Sequence, residues 1–279
     1  HAHETASTGA KPGPWTDDDD TRLLAWLERV YGLRYPSSVI AAAVLVAAQH
    51  QSSFHPVRQY LESLKWDRKE RLQDLFPGYF GADDSPYHRR VGAWWLVSAV
   101  ARVMDPGCKV DTLPVLEGPQ GIQKSTALSA LAGRPEWFLD TPLPIGDKDA
   151  MQMLCGKWIV EFAELESLRT KNPQQIKAFL SSSVDHYRPS YGKRAVDVPR
   201  QCVFAATTNC HEYLTDPTGA RRFWPIACGR INLRGLTSDR DQLWAEALMR
   251  YQKDRRWWPA DHDEQALCSA AQEARRIAD

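Results

Sequence analysis

Residues 115–126, Val-Leu-Glu-Gly-Pro-Gln-Gly-Ile-Gln-Lys-Ser-Thr, set a lysine and two hydroxyls at the end of a glycine-bearing loop. An apolar run precedes the loop, and an alanine- and leucine-rich run follows it. Strand, loop and helix in this order are the layout of a phosphate-binding loop, G-x-x-x-x-G-K-[ST]. Gly118, Lys124 and Ser125 stand at the required spacing, but Gln123 occupies the second glycine's position. The cradle for phosphates would be Gly118, Pro119, Gln120, Gly121, Ile122, Gln123, Lys124, Ser125 and Thr126, through backbone amides and the positive end of the helix dipole. Lys124 would reach the β- and γ-phosphates of ATP, and the Ser125 hydroxyl would ligate Mg²⁺. A glycine before the lysine permits φ > 0 or close approach. Gln123 could still donate its N–H if its φ is negative. The competing reading is an ordinary strand-turn-helix with an accidental lysine.

Hydrolysis at such a loop also needs an acid on a neighbouring strand and a group that orients water. Lys157-Trp158-Ile159-Val160-Glu161-Phe162-Ala163-Glu164 supplies two carboxylates. Glu161 is assigned to magnesium and Glu164 to water, with the reverse assignment open. Without the loop, the same segment reads as a half-buried strand with solvated glutamates. A third apolar strand ends at Thr207-Thr208-Asn209, where Asn209 could sense a γ-phosphate or simply close a turn. Arg221 and Arg222 suit a charge-neutralising finger, acting in cis or from a neighbouring subunit, or else a surface turn. Between the acid strand and the strand ending at Asn209, residues 185–196 read as a β-hairpin around a Gly-Lys turn. Arg188, Tyr191, Lys193 and Arg194 combine basic and aromatic groups, as a single-stranded nucleic acid requires. A solvated basic hairpin is the alternative.

The elements that must carry these groups follow from periodicity. Residues 1–15 are polar and are expected to be a disordered leader or linker. Residues 16–108 read as a helical domain, starting with Thr16 as a cap before Asp17–Asp20. Val39–Ala48 is too short to span a membrane and reads as a buried helix. Residues 109–250 alternate strands with helices, an α/β core with a parallel sheet. Residues 251–279 read as a C-terminal helical element. The helical pattern runs into the last residue, as it would in a truncated chain. With 35 basic and 35 acidic residues the net charge is zero, which excludes a uniformly basic nucleic-acid coat but not a local patch. Six scattered cysteines without C-x-x-C pairs read as reduced, mostly buried thiols of a cytoplasmic protein.

Five blocks in this order resemble the virulence-associated E family of phage and mobile-element proteins. They are FHPVRQYLESLKWD, LEGPQGIQKSTALSALAG, KWIVEFAELESL, DHYRPSYGKRAVDVPRQCVFAATTN and DPTGARRFWPI. The family is related to superfamily 3 helicases of the AAA+ class. The resemblance covers roughly residues 50–230 and implies a P-loop NTPase core. It implies an ATP- and Mg²⁺-dependent hexameric motor on single-stranded or forked DNA, often with a primase-like module ahead of it. It carries the phosphate-loop role to Gly118, Gly121, Lys124, Ser125 and Thr126, and the acidic motif to Glu161 and Glu164. It carries the sensor to Asn209 and the finger to Arg221 or Arg222. The hairpin would line a central channel. The family usually has glycine where this chain has Gln123.

Overall fold

The computed structural model describes residues 15–51, 54–165, 173–189, 194–210, 213–214 and 220–276. It divides into two compact units, residues 1–55 and 56–279.

The first unit pairs α1 (Asp17–Tyr31) with α2 (Ser37–Gln51). The backbone N–H and hydroxyl of Thr16 both donate to Asp19 Oδ2, at 2.9 and 2.7 Å, which fixes the start of α1. Gly32, at φ 66°, ends it and returns its N–H to Glu28. The expectation that α2 is buried is not met. Among its described side chains only Ile40 is buried, and Val39, Leu45 and Val46 are about half exposed. A helix with one helical partner can cover only one face.

The second unit begins with α3 (Pro56–Ser63), two short turns over Leu72–Tyr79, and α4 (Pro86–Met104). There follow β1 (Leu113–Glu117), α5 (Lys124–Ala132), β2 (Phe138–Leu139), α6 (Lys148–Met153) and β3 (Ile159–Phe162). Then come α7 (Pro173–Ser181), β4 (Val184–Tyr187), β5 (Val196–Pro199), β6 (Val203–Thr208) and β7 (Phe223–Ala227). Two helices close the order, α8 (Leu233–Asp254) and α9 (His262–Glu273). Five strands form one parallel sheet in the order β2-β3-β6-β1-β7. β4 and β5 form the separate antiparallel hairpin that the sequence suggested.

Alternating strand residues feed two cores, one on each face of the sheet. Leu116, Ile159, Val203, Ala205 and Ile226 join α4, α5 and α8 on one side. Val115, Val160, Phe162, Phe204 and Ala206 join Phe179 and Leu180 of α7 on the other. Parallel strands covered on both faces read as continuous apolar runs, which is why β3 and β6 were visible in the sequence. Buried indoles tie the layers together through their N–H groups. Trp95 donates to Phe204 O at 2.9 Å, Trp158 to Ala99 O at 3.0 Å, and Trp244 to Leu131 O at 2.9 Å.

The compact division falls at 55/56 rather than at 108/109. The reason is α4, whose residues from Val91 to Val103 are all buried. A helix that is apolar all round must be covered on every side, and here the sheet, α8 and the turns over Leu72–Tyr79 cover it. Among the described residues, no helix is long and apolar enough to cross a membrane. None of the six cysteines forms a disulfide, but Cys155 and Cys210 are exposed and only Cys202 and Cys268 are buried.

Candidate functional site

β1 leads straight into the glycine-bearing loop, and α5 starts at Lys124 as the spacing required. Gly118 has φ +144°, and a Cβ there would meet Ile122 Cδ1 at 2.9 Å. Gln123 has φ 73° and ψ 30°, in the left-handed region. The condition of a negative φ at Gln123 is therefore not met: the loop keeps a glycine-type backbone and forces glutamine into it. That conformation costs about 1–2 kcal/mol for a residue with a Cβ. Glu164 is also left-handed, at φ 53°. Strain of this kind concentrates at functional sites, and these two residues line the same cleft.

Lys124 is buried, and its Nζ donates to Gly118 O at 2.5 Å, Pro119 O at 3.1 Å and Asn209 Oδ1 at 3.1 Å. The ammonium thus joins the loop to the end of β6. Ser125 Oγ and Thr207 Oγ1 each donate to Glu161 Oε1 at 2.7 Å. The other oxygen, Glu161 Oε2, is buried with no hydrogen-bond partner. Burial pushes the Glu161 carboxyl above its ordinary range, opposed by the hydroxyls of Ser125 and Thr207. The loop residues Gln120–Thr126 line a cleft of about 360 Å³ with Ala163, Glu164, Thr207, Thr208 and Asn209. Two other clefts are larger, about 640 Å³ each. Converging donors at the carboxyl ends of parallel strands, rather than size, single out the smaller one.

The groups fit a magnesium ion. Among the described residues, no three His, Cys, Asp or Glu side chains gather as an all-protein cage. Proteins in general hold Mg²⁺ by one or two oxygens plus phosphates and water rather than by such a cage. The Ser125 hydroxyl and the orphaned Glu161 Oε2 are oxygens of that kind.

Arg221 and Arg222 lie elsewhere. They precede β7, whose first residue pairs with Leu113 and whose last pairs with Glu117. The arginines therefore stand at the opposite end of β1 from the loop, about 13 Å along a five-residue strand. Arg222 donates from Nε and Nη2 to Ser181 Oγ at 3.0 and 2.9 Å. Arg221 is exposed and makes no hydrogen bond or ion pair among the described residues. Both border one of the larger clefts, with Trp257 and Trp258. A finger acting on its own subunit's loop does not fit this layout.

The hairpin rises from a rigid base. Arg200 Nε donates to the buried Asp185 at 3.0 Å, and its guanidinium lies over Phe179 and Phe204 at 4.8 and 5.4 Å. Arg188 and Arg194 are exposed beyond the paired strands, while Tyr191 and Lys193 lie outside the described residues.

The family model of the virulence-associated protein E-like domain matches residues 61–277. The chain belongs to this family. The match takes in the cleft, the hairpin and the paired arginines, and leaves α1 and α2 outside the virulence-associated protein E-like domain. Two solved structures of the apo C-terminal region of NrS-1 are similar to the chain. The A form is 15% identical with a TM-score of 0.50, over 76% of this chain and 53% of that one. The 305–718 form is 14% identical with a TM-score of 0.50, over 76% and 54%. At such identity they bear on the fold alone, and the chain spans about half of their length. A search of the curated proteins finds no match.

Within this virulence-associated protein E-like domain, the sequence did not reveal Thr207 as the second hydroxyl on Glu161. Its only signal was an apolar strand ending in consecutive threonines. Nor did it reveal Tyr213 and Arg275, which converge on Glu117.

Proposed function

We propose that the chain is an ATP-dependent nucleic-acid helicase or translocase of a phage or mobile-element replication system, built on a P-loop core of AAA+ type. One observation carries the reading: Lys124 joins the loop carbonyls to Asn209 while Ser125 and Thr207 converge on a half-satisfied Glu161. Parallel strands that deliver these groups at their carboxyl ends support it, as does membership of the family.

In this reading Lys124 exchanges its carbonyl partners for β- and γ-phosphate oxygens. Ser125 and Glu161 would hold Mg²⁺, which when bound would neutralise phosphate charge. Glu164, exposed at the cleft, orients the attacking water. Asn209 contacts the γ-phosphate. The water oxygen bonds to the γ-phosphorus, the bond to the bridging oxygen breaks, that oxygen leaves with ADP, and the water's proton passes by way of Glu164 to the released phosphate or solvent. Arg221 reaches the cleft of an adjoining copy and neutralises charge there, which calls for self-association, a hexameric ring by resemblance. The hairpin with Arg188, Tyr191, Lys193 and Arg194 grips single-stranded or forked DNA. A primase module is a fitting companion.

A second reading, an ATP-binding switch that assembles without fast turnover, is favoured by Gln123 at φ 73°. Hydrolysis measured with and without single-stranded DNA separates the two. Strong stimulation supports the motor, and nucleotide-dependent assembly with negligible turnover supports the switch. Absence of Mg²⁺-dependent nucleotide binding contradicts both.

A further inference from the structure

Glu117 is the last residue of β1 and directly precedes the phosphate loop. Its side chain is fully buried, and a buried carboxylate needs partners. Tyr213 donates its hydroxyl to Oε1 at 2.8 Å. Arg275 forks the same carboxylate, with Nε 2.9 Å from Oε1 and Nη2 2.9 Å from Oε2. Such a bidentate pair fixes direction as well as charge.

The backbone of Arg275 makes a second grip. Its carbonyl accepts the N–H groups of Tyr213 and Leu214 at 3.3 and 3.2 Å, and Leu214 bridges to Arg276. Tyr213 lies four residues beyond Asn209. Just before this segment, Gln272 donates to Phe223 O at 3.0 Å, so the end of α9 is anchored on β7. One short C-terminal stretch therefore holds the root of the phosphate loop by its side chain and the chain after β6 by its backbone. Those are the two segments that Lys124 and Asn209 join across the cleft. Arg275 does not line the cleft.

The geometry points to Arg275 as a positioning residue: with Glu117 and Tyr213 it fixes the phosphate loop relative to Asn209. This deepens the nucleotide reading above and rests on it. The device acts at a distance from any phosphate. It links the last helix of the domain to the γ-phosphate end of the cleft, so a displacement of α9 would be felt there. Lysine cannot replace the fork, because an ammonium supplies charge without two parallel donors.

The test uses the full chain with Arg275→Lys and Tyr213→Phe, each alone and combined with Asn209→Ala. Hydrogen exchange of the nucleotide-free protein reads the positioning, and steady-state hydrolysis reads its consequence. In both variants the amides of residues 120–124 should exchange about tenfold faster than in the parent. The kcat should fall by about tenfold with KM within about twofold, because misplacement at the reacting end costs rate. On the Asn209→Ala background, Arg275→Lys should cost less than about twofold more, since contacting or coupled sites are not additive. Tyr213→Phe removes one hydroxyl and keeps the packing, so it tests the proposal even if Arg275→Lys fails to fold. Unchanged exchange at 120–124 in a folded variant overturns the proposal, as does a rate loss that is fully additive with Asn209→Ala. Faster exchange in a protein whose parent binds no nucleotide would support the positioning and overturn the nucleotide reading.

Discussion

Ser125 and Glu161, 36 residues apart in the chain, meet at 2.7 Å across the sheet's carboxyl edge. The first opens a helix and the second ends inside a strand, so only the parallel pairing β3-β6-β1 brings them together. Their contact leaves Glu161 Oε2 buried and without a partner.

Glu161→Gln removes that buried charge and keeps the shape. The folded protein raises the carboxyl of Glu161, so its ionised form costs stability at neutral pH. The variant should melt at or above the parent temperature. Hydrolysis should fall by at least about 10²-fold, the usual loss when charge stabilisation is removed from a site. Mg²⁺ should no longer strengthen nucleotide binding. Calorimetric melting alongside titration of ATP with and without Mg²⁺ checks both halves. A destabilised variant that still couples Mg²⁺ to nucleotide contradicts the assignment.

Gln123→Gly should be neutral or stabilising. It relieves a left-handed glutamine at about 1–2 kcal/mol, and returns part of that as entropy of the unfolded chain. The melting temperature should rise by up to about 4 °C, with hydrolysis at least equal to the parent's. A large loss of stability would mean that the Gln123 side chain is needed where it stands.

The legible parts of this fold were local. β1, α5, β3 and β6 announced themselves by apolar runs, and the Gly-Lys turn announced the hairpin. β7 was hidden because Pro225 sits inside it, and proline in a strand is confined mostly to edges; β7 is an edge. α4 was visible as a helix, but its burial against the sheet depends on contacts distant in the chain, such as Trp95 with Phe204. The same holds at the candidate site. Lys124, Ser125 and Glu161 were readable from spacing, whereas the backbone angle of Gln123 and the approach of Arg275 to Glu117 exist only once the chain is folded.

Arg221 at the far end of β1 from the loop calls for action between copies. Arg221→Ala and Lys124→Ala should each be inactive alone. Mixed before assembly, they should recover activity, because some interfaces then pair an intact loop with an intact arginine. Arg222 is held by Ser181, and its alanine variant should act mainly through stability. Titrating one inactive protein into the other checks this, and an absence of recovery at any ratio argues against the shared site.

Arg188→Ala with Arg194→Ala removes two exposed cations flanking the hairpin tip. Affinity for single-stranded DNA should fall, and the slope of log K against log salt should shrink by about 1.4, at about 0.7 per lost phosphate contact. Basal hydrolysis without DNA should stay within about twofold, since the cleft is untouched. Fluorescence anisotropy across a salt series measures the slope, and an unchanged slope removes the hairpin from the interface.

A loop that binds and hydrolyses ATP in the service of work on nucleic acid depends on its lysine. The most direct measurement is the steady-state ATPase rate of the parent and of Lys124→Ala, each with and without single-stranded DNA. The parent should hydrolyse ATP with Mg²⁺, accelerated several-fold by DNA, and Lys124→Ala should lose at least about 10²-fold under both conditions. Equal hydrolysis by parent and variant would contradict the role of Lys124.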